Sequence, residues 1–364
     1  MPAFPYLLRG FRPDAEAFLK NLRRQGTPRR VHFMELYQDA EVNEAVAQRF
    51  ELARGLSPDD PDFQIKKYIA TQRFLGYDYC SVYVGGVAFV YNWESTADPA
   101  SDLKRESRSW MNEHRGPIGS WEDFEKYPWP DPKKIDTSAL EKFSRLVPDD
   151  MCLVGHSGHF CENLVWLFGY ETLCYLLYDD RKLVEAVAQR ILAIEDAIFT
   201  VYLQFPRVQA IWHSDDLGFK TSLLLSADDM RHFVLSGHKQ MAAKVHAAGR
   251  LSLLHACGNR AAILEDIISD VKFDALHSFE DTIEKVTDAK QRYGHRISLI
   301  GGIDVDFLCR ASEPEIRRRV RETLDTCLPG GGYCLGSGNS IANYIPLDNY
   351  LTMLDEGRCY GEGK

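Results

Sequence analysis

Eight short runs rich in Val, Ile, Leu and aromatic residues recur along the chain, and most are followed by a segment of helical periodicity. Strands that alternate with helices over short connections form parallel sheets with right-handed crossovers. Eight such repeats predict a (β/α)₈ TIM barrel, whereas an open doubly wound sheet gives no reason for the number eight. The runs are residues 30–37, 77–84, 151–158, 209–216, 251–258, 273–280, 297–304 and 332–339.

One connection, residues 85–150 between the second and third predicted strands, is much longer than a βα loop requires. We expect it to cover the barrel mouth, either as a functional segment that carries Trp110, Trp121 and Trp129 or as a packed insertion. Barrels of this length commonly form one unit. The sequence therefore predicts a single barrel domain over residues 1–364.

Composition excludes several classes of function. The formal net charge of −10, without a strongly basic block, argues against a nucleic-acid binder. No signal-peptide pattern and no run of about 20 apolar residues is found, so we expect a cytoplasmic protein without a membrane partner. Nine cysteines, an odd number spread over a long chain, predict reduced thiols rather than a disulfide framework.

The active site of a (β/α)₈ barrel lies at the carboxyl ends of its strands, where this chain is unusually polar. Two interpretations stay open for the pair Asp215 and Asp216, which either serve the chemistry or cap the following helix. Glu280 is either a fourth metal ligand or general base, or a hydrogen-bond acceptor for His255. The predicted catalytic residues are Glu280, Asp215 and Asp216, and the predicted substrate-binding residues are Glu35, His156, Asp304 and Asn339.

The strongest local pattern is His255-Ala256-Cys257, because residues i and i+2 of a strand point to the same side and can address one ion. On its own a His-x-Cys pair is a weak signal. Cys334, which is flanked closely by glycines at the same end of the barrel, is the best candidate for a third ligand, although it could instead be a small barrel-filling residue. One imidazole and two thiolates suit zinc and leave its fourth position open.

Five motifs resemble the uroporphyrinogen decarboxylase-like superfamily, and within it the zinc-dependent corrinoid methyltransferases. They are SDDLGF (214–219), HACGN (255–259), LIGGID (299–304), GGGYCLGSGNSI (330–341) and IPLDNYLTML (345–354). The resemblance implies that His255, Cys257 and Cys334 bind zinc. It also implies transfer of a methyl group between a corrinoid, or cobalamin, and a small thiol or a methylated or methoxylated substrate, as in O-demethylase systems.

No D-x-H-x-x-G corrinoid-binding motif is present, so the resemblance implies a separate corrinoid protein as partner. The alternatives are a metal-free uroporphyrinogen decarboxylase and a catalytically silent tetrapyrrole-binding barrel. The N-terminal segment RRQGTPRRVHF (23–33) matches the arginine motif of the decarboxylases poorly. The sequence leaves open the methyl donor and acceptor, the direction of transfer and the oligomeric state, for which a homodimer is the default expectation.

Overall fold

A computed structural model describes residues 4–98, 103–112 and 114–360. Seven parallel strands form one curved sheet in the order β1-β4-β5-β6-β7-β8-β9. Each of the last seven predicted runs overlaps one of these strands, so the barrel prediction is confirmed. The strands are β1 (Tyr79–Val82), β4 (Cys152–Ser157), β5 (Val208–Ser214), β6 (Leu251–His255), β7 (Ala275–His277), β8 (Ser298–Ile300) and β9 (Tyr333–Cys334).

The first predicted run, residues 30–37, is not a regular strand. It joins the chain beyond β9 through two isolated parallel bridges, Phe33 to Leu335 and Gln38 to Ile341. On its other side it faces β1 through side chains. The Tyr79 hydroxyl accepts a hydrogen bond from the Glu35 amide (3.1 Å) and donates one to the Glu35 carbonyl (2.8 Å), which occupies both backbone groups that a ladder would use.

We call this boundary between residues 31–38 and β1 the seam. A second side-chain contact crosses it, from His32 Nδ1 to Asp78 Oδ2 at 2.7 Å. Both of these side chains are buried. The eighth side of the barrel is therefore closed by side chains rather than by a row of backbone hydrogen bonds.

Helices surround the sheet, as alternation of strand and helix requires. α8 packs against β4 and β5, and α10 packs against β5 and β6. The helices are α1 (Ala15–Leu22), α2 (Ala40–Arg49), α3 (Phe63–Leu75), α4 (Trp121–Lys126), α5 (Ser138–Leu146), α6 (Phe160–Phe168), α7 (Tyr170–Asp179), α8 (Arg181–Leu203), α9 (Ala227–Asp229), α10 (Ser236–Ala247), α11 (Val286–Tyr293), α12 (Val305–Arg310), α13 (Glu313–Cys327) and α14 (Leu347–Cys359). Shorter 3₁₀ and π-helical segments are Pro132–Lys134, Met230–Leu235, Ala261–Ile263 and Asp266–Val271.

The long insertion contains an antiparallel hairpin of β2 (Trp93–Ala97) and β3 (Ser107–Met111). Arg108 of β3 bonds to Asp98 and Asn343, and its guanidinium lies 4.9 Å from the ring centre of Tyr344. These contacts hold the hairpin beside the segment that follows β9. α4 and α5 instead pack on the side of the barrel, against α8 and β1.

Two expectations about the whole chain concern the cysteines and the membrane. All nine cysteines are free thiols. No helix within the described part of the chain combines the length and apolar character needed to cross a membrane.

Candidate metal centre

His255 and Cys257 stand at the carboxyl end of β6 and on the turn that follows it. Gly258 makes this turn possible because its φ of +86° lies in the left-handed region. A Cβ at Gly258 would also meet the Gly218 carbonyl oxygen at 1.9 Å. The turn therefore packs directly on the loop after β5, which brings Asp216 next to Cys257.

Asp216 completes a three-residue cluster. Its Oδ1 accepts a hydrogen bond from the Cys257 amide (3.3 Å) and lies 3.7 Å from His255 Nε2. His255 Nε2 is 3.3 Å from Cys257 Sγ. The three donor atoms all lie within 4.8 Å of one another, and in the described ranges this is the one group of at least three His, Cys, Asp or Glu residues placed to hold a metal ion.

His277 on β7 orients the imidazole of His255. Burial lowers the pKa of His277 well below its ordinary value, so this ring is neutral. Its Nε2 faces the Ser337 carbonyl at 3.3 Å and carries the proton, which leaves Nδ1 to accept from His255 Nδ1 at 2.8 Å. In the neutral form of His255, the Nε2 lone pair then points at the cluster, as a metal ligand requires.

Cys257 has two further hydrogen-bond partners. Asn339 Nδ2 donates to its Sγ at 3.2 Å, and Ser278 Oγ lies at 3.8 Å. Burial, followed by the negative charge of Asp216, raises the pKa of the Cys257 thiol well above its ordinary value. A bound cation would reverse this effect, because a coordinating thiol is deprotonated.

Cys334, the predicted third ligand, is not part of the cluster. Its Sγ lies 3.4 Å from Asn21 Nδ2 of α1, and burial raises its pKa above the ordinary value of a thiol. Parallel pairing continues beyond β9 through the bridge between Ile303 and Ser337, so the barrel rim is reached only at Asn339. Cys334 therefore fills the barrel wall, which is the other interpretation of this residue.

Asp215 does not serve the site directly. It is fully buried, and its carboxylate accepts backbone hydrogen bonds from Phe160 (3.1 Å), Cys161 (2.8 Å) and Glu162 (2.8 Å). It therefore caps the amino end of α6. The cap is thus on a helix that precedes Asp215 in the chain, not on the following helix, whereas Asp216 lies beside His255 and Cys257.

Glu35 was expected to bind substrate, but its carboxylate faces the protein interior. Both of its oxygens accept hydrogen bonds from Ser337, one from the amide and one from the hydroxyl, each at 2.6 Å. Burial raises the pKa of Glu35 to about 8, although both Ser337 bonds oppose the shift. The residue joins the first run to the segment beyond β9.

His156 is likewise packed rather than open to the cleft. Its ring is stacked with those of Tyr83 (4.9 Å) and Trp212 (5.6 Å), and its Nε2 bonds to Ser81 Oγ at 3.0 Å. Burial lowers the pKa of His156 to about 3, so the ring is neutral near pH 7. We therefore expect no direct contact between His156 and a substrate.

A cleft of about 1370 Å³ opens beside the cluster. Three predicted residues lie in its wall: Glu280, Asp304 and Asn339. Asp304 also accepts hydrogen bonds from the amides of Phe307 (3.1 Å) and Asp281 (2.9 Å), so its carboxylate is largely engaged. Aromatic and cationic side chains also line the wall, and of these the sequence pointed only to Trp110: Tyr37, Arg105, Arg108, Trp110, Lys220, Phe279, Phe307, Arg310 and Tyr344.

Trp121 and Trp129, which the sequence singled out together with Trp110, lie outside the cleft wall. Trp121 donates from Nε1 to Asp180, and Trp129 packs on Tyr127 at a ring-centre distance of 4.7 Å. These two side chains therefore contact the protein away from the cleft, whereas Trp110 lies at the mouth.

The donor set of the cluster fits zinc. Tetrahedral zinc with Zn–N, Zn–O and Zn–S bonds of ordinary length separates its ligand atoms by about 3.4–3.6 Å. The observed separations of 3.3 Å between Cys257 Sγ and His255 Nε2, and 3.7 Å between His255 Nε2 and Asp216 Oδ1, are close to these values. Three protein ligands are the number that catalytic zinc sites use.

Comparisons with known proteins agree with this architecture. The family model of Uroporphyrinogen decarboxylase (URO-D) matches residues 112–360. A methylated-thiol–coenzyme M methyltransferase of Methanosarcina mazei is 27% identical over 130 residues, which are 35% of this chain and 32% of that protein. The match thus spans about a third of the relative's length. A solved structure of a methyltransferase from Methanosarcina mazei shares the fold, with a TM-score of 0.65, 18% identity and coverage of 94% of this chain and 97% of the other.

Proposed function

The chain belongs to the uroporphyrinogen decarboxylase family, and on this premise we propose that it is a zinc-dependent methyltransferase. It would move a methyl group between a corrinoid, carried by a partner protein, and a small thiol or a methylated or methoxylated substrate. The observation that carries the proposal is the convergence of Asp216, His255 and Cys257 beside a large cleft. A metal-free decarboxylase has no use for such a set of ligands.

The partial match to the Methanosarcina enzyme supports the substrate class. That protein's name describes transfer between a methylated thiol and coenzyme M. A soft sulfur atom is also the substrate group that a site containing a thiolate and an imidazole accommodates well. We therefore place a thiol or thioether first among the small substrates.

The side chains around the proposed zinc site have separate roles. Zinc, when bound, would supply a Lewis acid whose open position takes the sulfur or oxygen of the substrate. His277 keeps the proton of His255 on Nδ1, so that Nε2 stays available. Asn339 stabilises the charge on Cys257 through its N–H donor. Glu280, whose negative charge contributes to the raised pKa of Cys257, would accept the proton that a substrate thiol gives up.

Exposed apolar side chains at the barrel mouth support the proposed partner. One is the last residue of the first run, three follow β1, β5 and β9, and one belongs to β3. Such a patch around a cleft is typical of a surface that another protein covers. The residues are Tyr37, Tyr83, Trp110, Phe219 and Tyr344.

The deciding experiment mixes the zinc-loaded protein with methylcobalamin and a panel of thiols, and follows loss of the methylcobalamin absorption spectrum. The reverse direction uses cob(I)alamin with methylated thiols and methoxylated aromatics. We expect transfer in one direction by the wild type, a loss of at least 100-fold in Cys257→Ser, and retention in the matched variant Cys334→Ser. No transfer in either direction, together with release of CO₂ from a porphyrinogen, would overturn the proposal in favour of a decarboxylase.

A further inference from the structure

A buried chain of hydrogen bonds lies behind the metal centre and connects β6, β5 and α10. Ser252 Oγ is 2.9 Å from His213 Nε2, and His213 Nδ1 is 3.0 Å from His238 Nδ1. His238 Nε2 is 2.9 Å from Asp215 Oδ2. All four side chains are fully buried. We call this chain the Ser252–Asp215 relay.

The protons of the relay can be assigned from its chemistry. The Asp215 carboxylate accepts, so His238 donates from Nε2; in the neutral form of His238, Nδ1 is left to accept from His213 Nδ1. His213 Nε2 then accepts from the Ser252 hydroxyl. Burial lowers the pKa of His213 well below its ordinary value, in agreement with a neutral ring. Every ring nitrogen in the relay has one partner and one role.

The relay ends at a residue that joins several elements. Besides capping α6 through three amides, Asp215 donates its own amide to the His255 carbonyl at 3.0 Å. Consecutive side chains of an extended segment point to opposite sides. A fixed outward position of Asp215 therefore directs the next residue, Asp216, towards His255 and Cys257.

We propose that His238 is a positioning residue of the metal centre: by holding Asp215, it places the Asp216 carboxylate beside His255 and Cys257. His238 contacts none of the three cluster residues through a hydrogen bond of its own and lies on a helix outside the barrel wall. The effect on zinc rests on the proposed function. The effect on the position of Asp216 is independent of the proposed function and can be measured in metal-free protein.

The experiment compares three variants with the wild type. His238→Leu removes both hydrogen bonds of the ring, whereas His238→Gln retains an N–H donor that can reach Asp215. His246→Leu is the matched control, since His246 lies on the same helix and bonds to Asp274 at 2.9 Å, the length of the His238 to Asp215 bond. Zinc affinity is measured by competition with a chelator, and hydrogen exchange of the peptide around Cys257 is measured in metal-free protein.

We expect His238→Leu to weaken zinc binding by about 10- to 100-fold, the usual effect of removing a partner behind a metal ligand. Exchange of the Cys257 amide, which bonds to Asp216, should accelerate in the same variant. His238→Gln should stay within about threefold of the wild type, and His246→Leu should match the wild type in both measurements.

Two other outcomes are informative. If His238→Leu lowers the melting temperature but leaves zinc affinity and Cys257 exchange unchanged, the relay is only structural and the inference is wrong. If the wild type binds no zinc while His238→Leu still accelerates exchange at Cys257, the positioning of Asp216 is supported and the zinc proposal fails.

Discussion

The side-chain amide of Asn339 donates a hydrogen bond to the sulfur of Cys257 over 3.2 Å. Asn339 follows β9 and lies in the wall of the cleft, whereas Cys257 follows β6. The contact therefore joins the cleft to the metal centre across the barrel mouth. A ligand in the cleft meets Asn339 directly beside the thiol.

Asn339→Ala should weaken zinc binding by about tenfold, because a hydrogen bond to a charged group contributes about 1.5–3 kcal/mol. Chelator competition measures this change. Ser340→Ala is the control, as Ser340 lines the same cleft next in the chain. Equal zinc affinity in Asn339→Ala and the wild type would show that the N–H donor does not stabilise the thiolate.

Cys257→Ser should lose zinc, and Cys334→Ser should retain one ion per chain. The physical reason is that Cys334 faces Asn21 rather than the cluster. Elemental analysis of the two variants, prepared in parallel with the wild type, checks the expectation. Loss of zinc from both variants would restore Cys334 as a ligand and require the segment beyond β9 to move.

Glu35→Gln should reduce the loss of stability at alkaline pH. Burial raises the pKa of Glu35 to about 8 in the folded protein, above its value in the unfolded chain. The folded state therefore binds the proton more tightly than the unfolded chain does. This tighter binding adds to the free energy of unfolding in full below about pH 4, and the added stability is lost as pH rises through 8.

Glutamine stays neutral and can keep both contacts with Ser337. Between pH 6 and 9 the free energy of unfolding of the variant should therefore fall by on the order of 1–3 kcal/mol less than that of the wild type. Denaturant unfolding of metal-free protein at several pH values measures the difference. Glu44→Gln is the control, because the hydrogen bond from Lys67 lowers the pKa of Glu44 and this half-exposed carboxylate stays ionised over the same pH range. Parallel pH profiles for Glu35→Gln and the wild type would contradict the expected raised pKa.

Arg108→Met should loosen the β2–β3 hairpin without a large change in melting temperature. Both strands are largely exposed, and Arg108 supplies contacts to Asp98, Asn343 and the ring of Tyr344. Chymotrypsin should cut after Trp93 and Trp110 several-fold faster in this variant. Arg145 lies in α5 of the same insertion and forms an ion pair with Asp62 at the start of α3, so Arg145→Met should leave these rates unchanged.

The sequence was sufficient for the barrel and for the proximity of His255 and Cys257. Periodicity located seven strands, and the i, i+2 spacing at the end of β6 brought both side chains to one site. Asp216 was also found, as a polar residue at the end of β5. These features are local, so a short stretch of sequence contains them.

The sequence was insufficient where contacts join distant parts of the chain. Cys334 and Asn339 lie in one predicted run, and periodicity alone does not say at which residue the run reaches the barrel rim. The Ser337 contacts of Glu35 likewise depend on how the first run pairs. His238 gave no sequence signal, because a histidine within a helix acquires its role only when β5 packs beside it.

The seam is a place where the barrel can widen. Within the seven-stranded sheet, rows of backbone hydrogen bonds resist separation, whereas the seam is held by the Tyr79 hydroxyl on Glu35 and by the contact between His32 and Asp78. Counted around the ring, β6 lies almost diametrically opposite. If the mouth widens to admit or release a bulky ligand, we expect the movement at the seam, on the opposite wall of the barrel. The relative position of His255 and Cys257 should then stay unchanged.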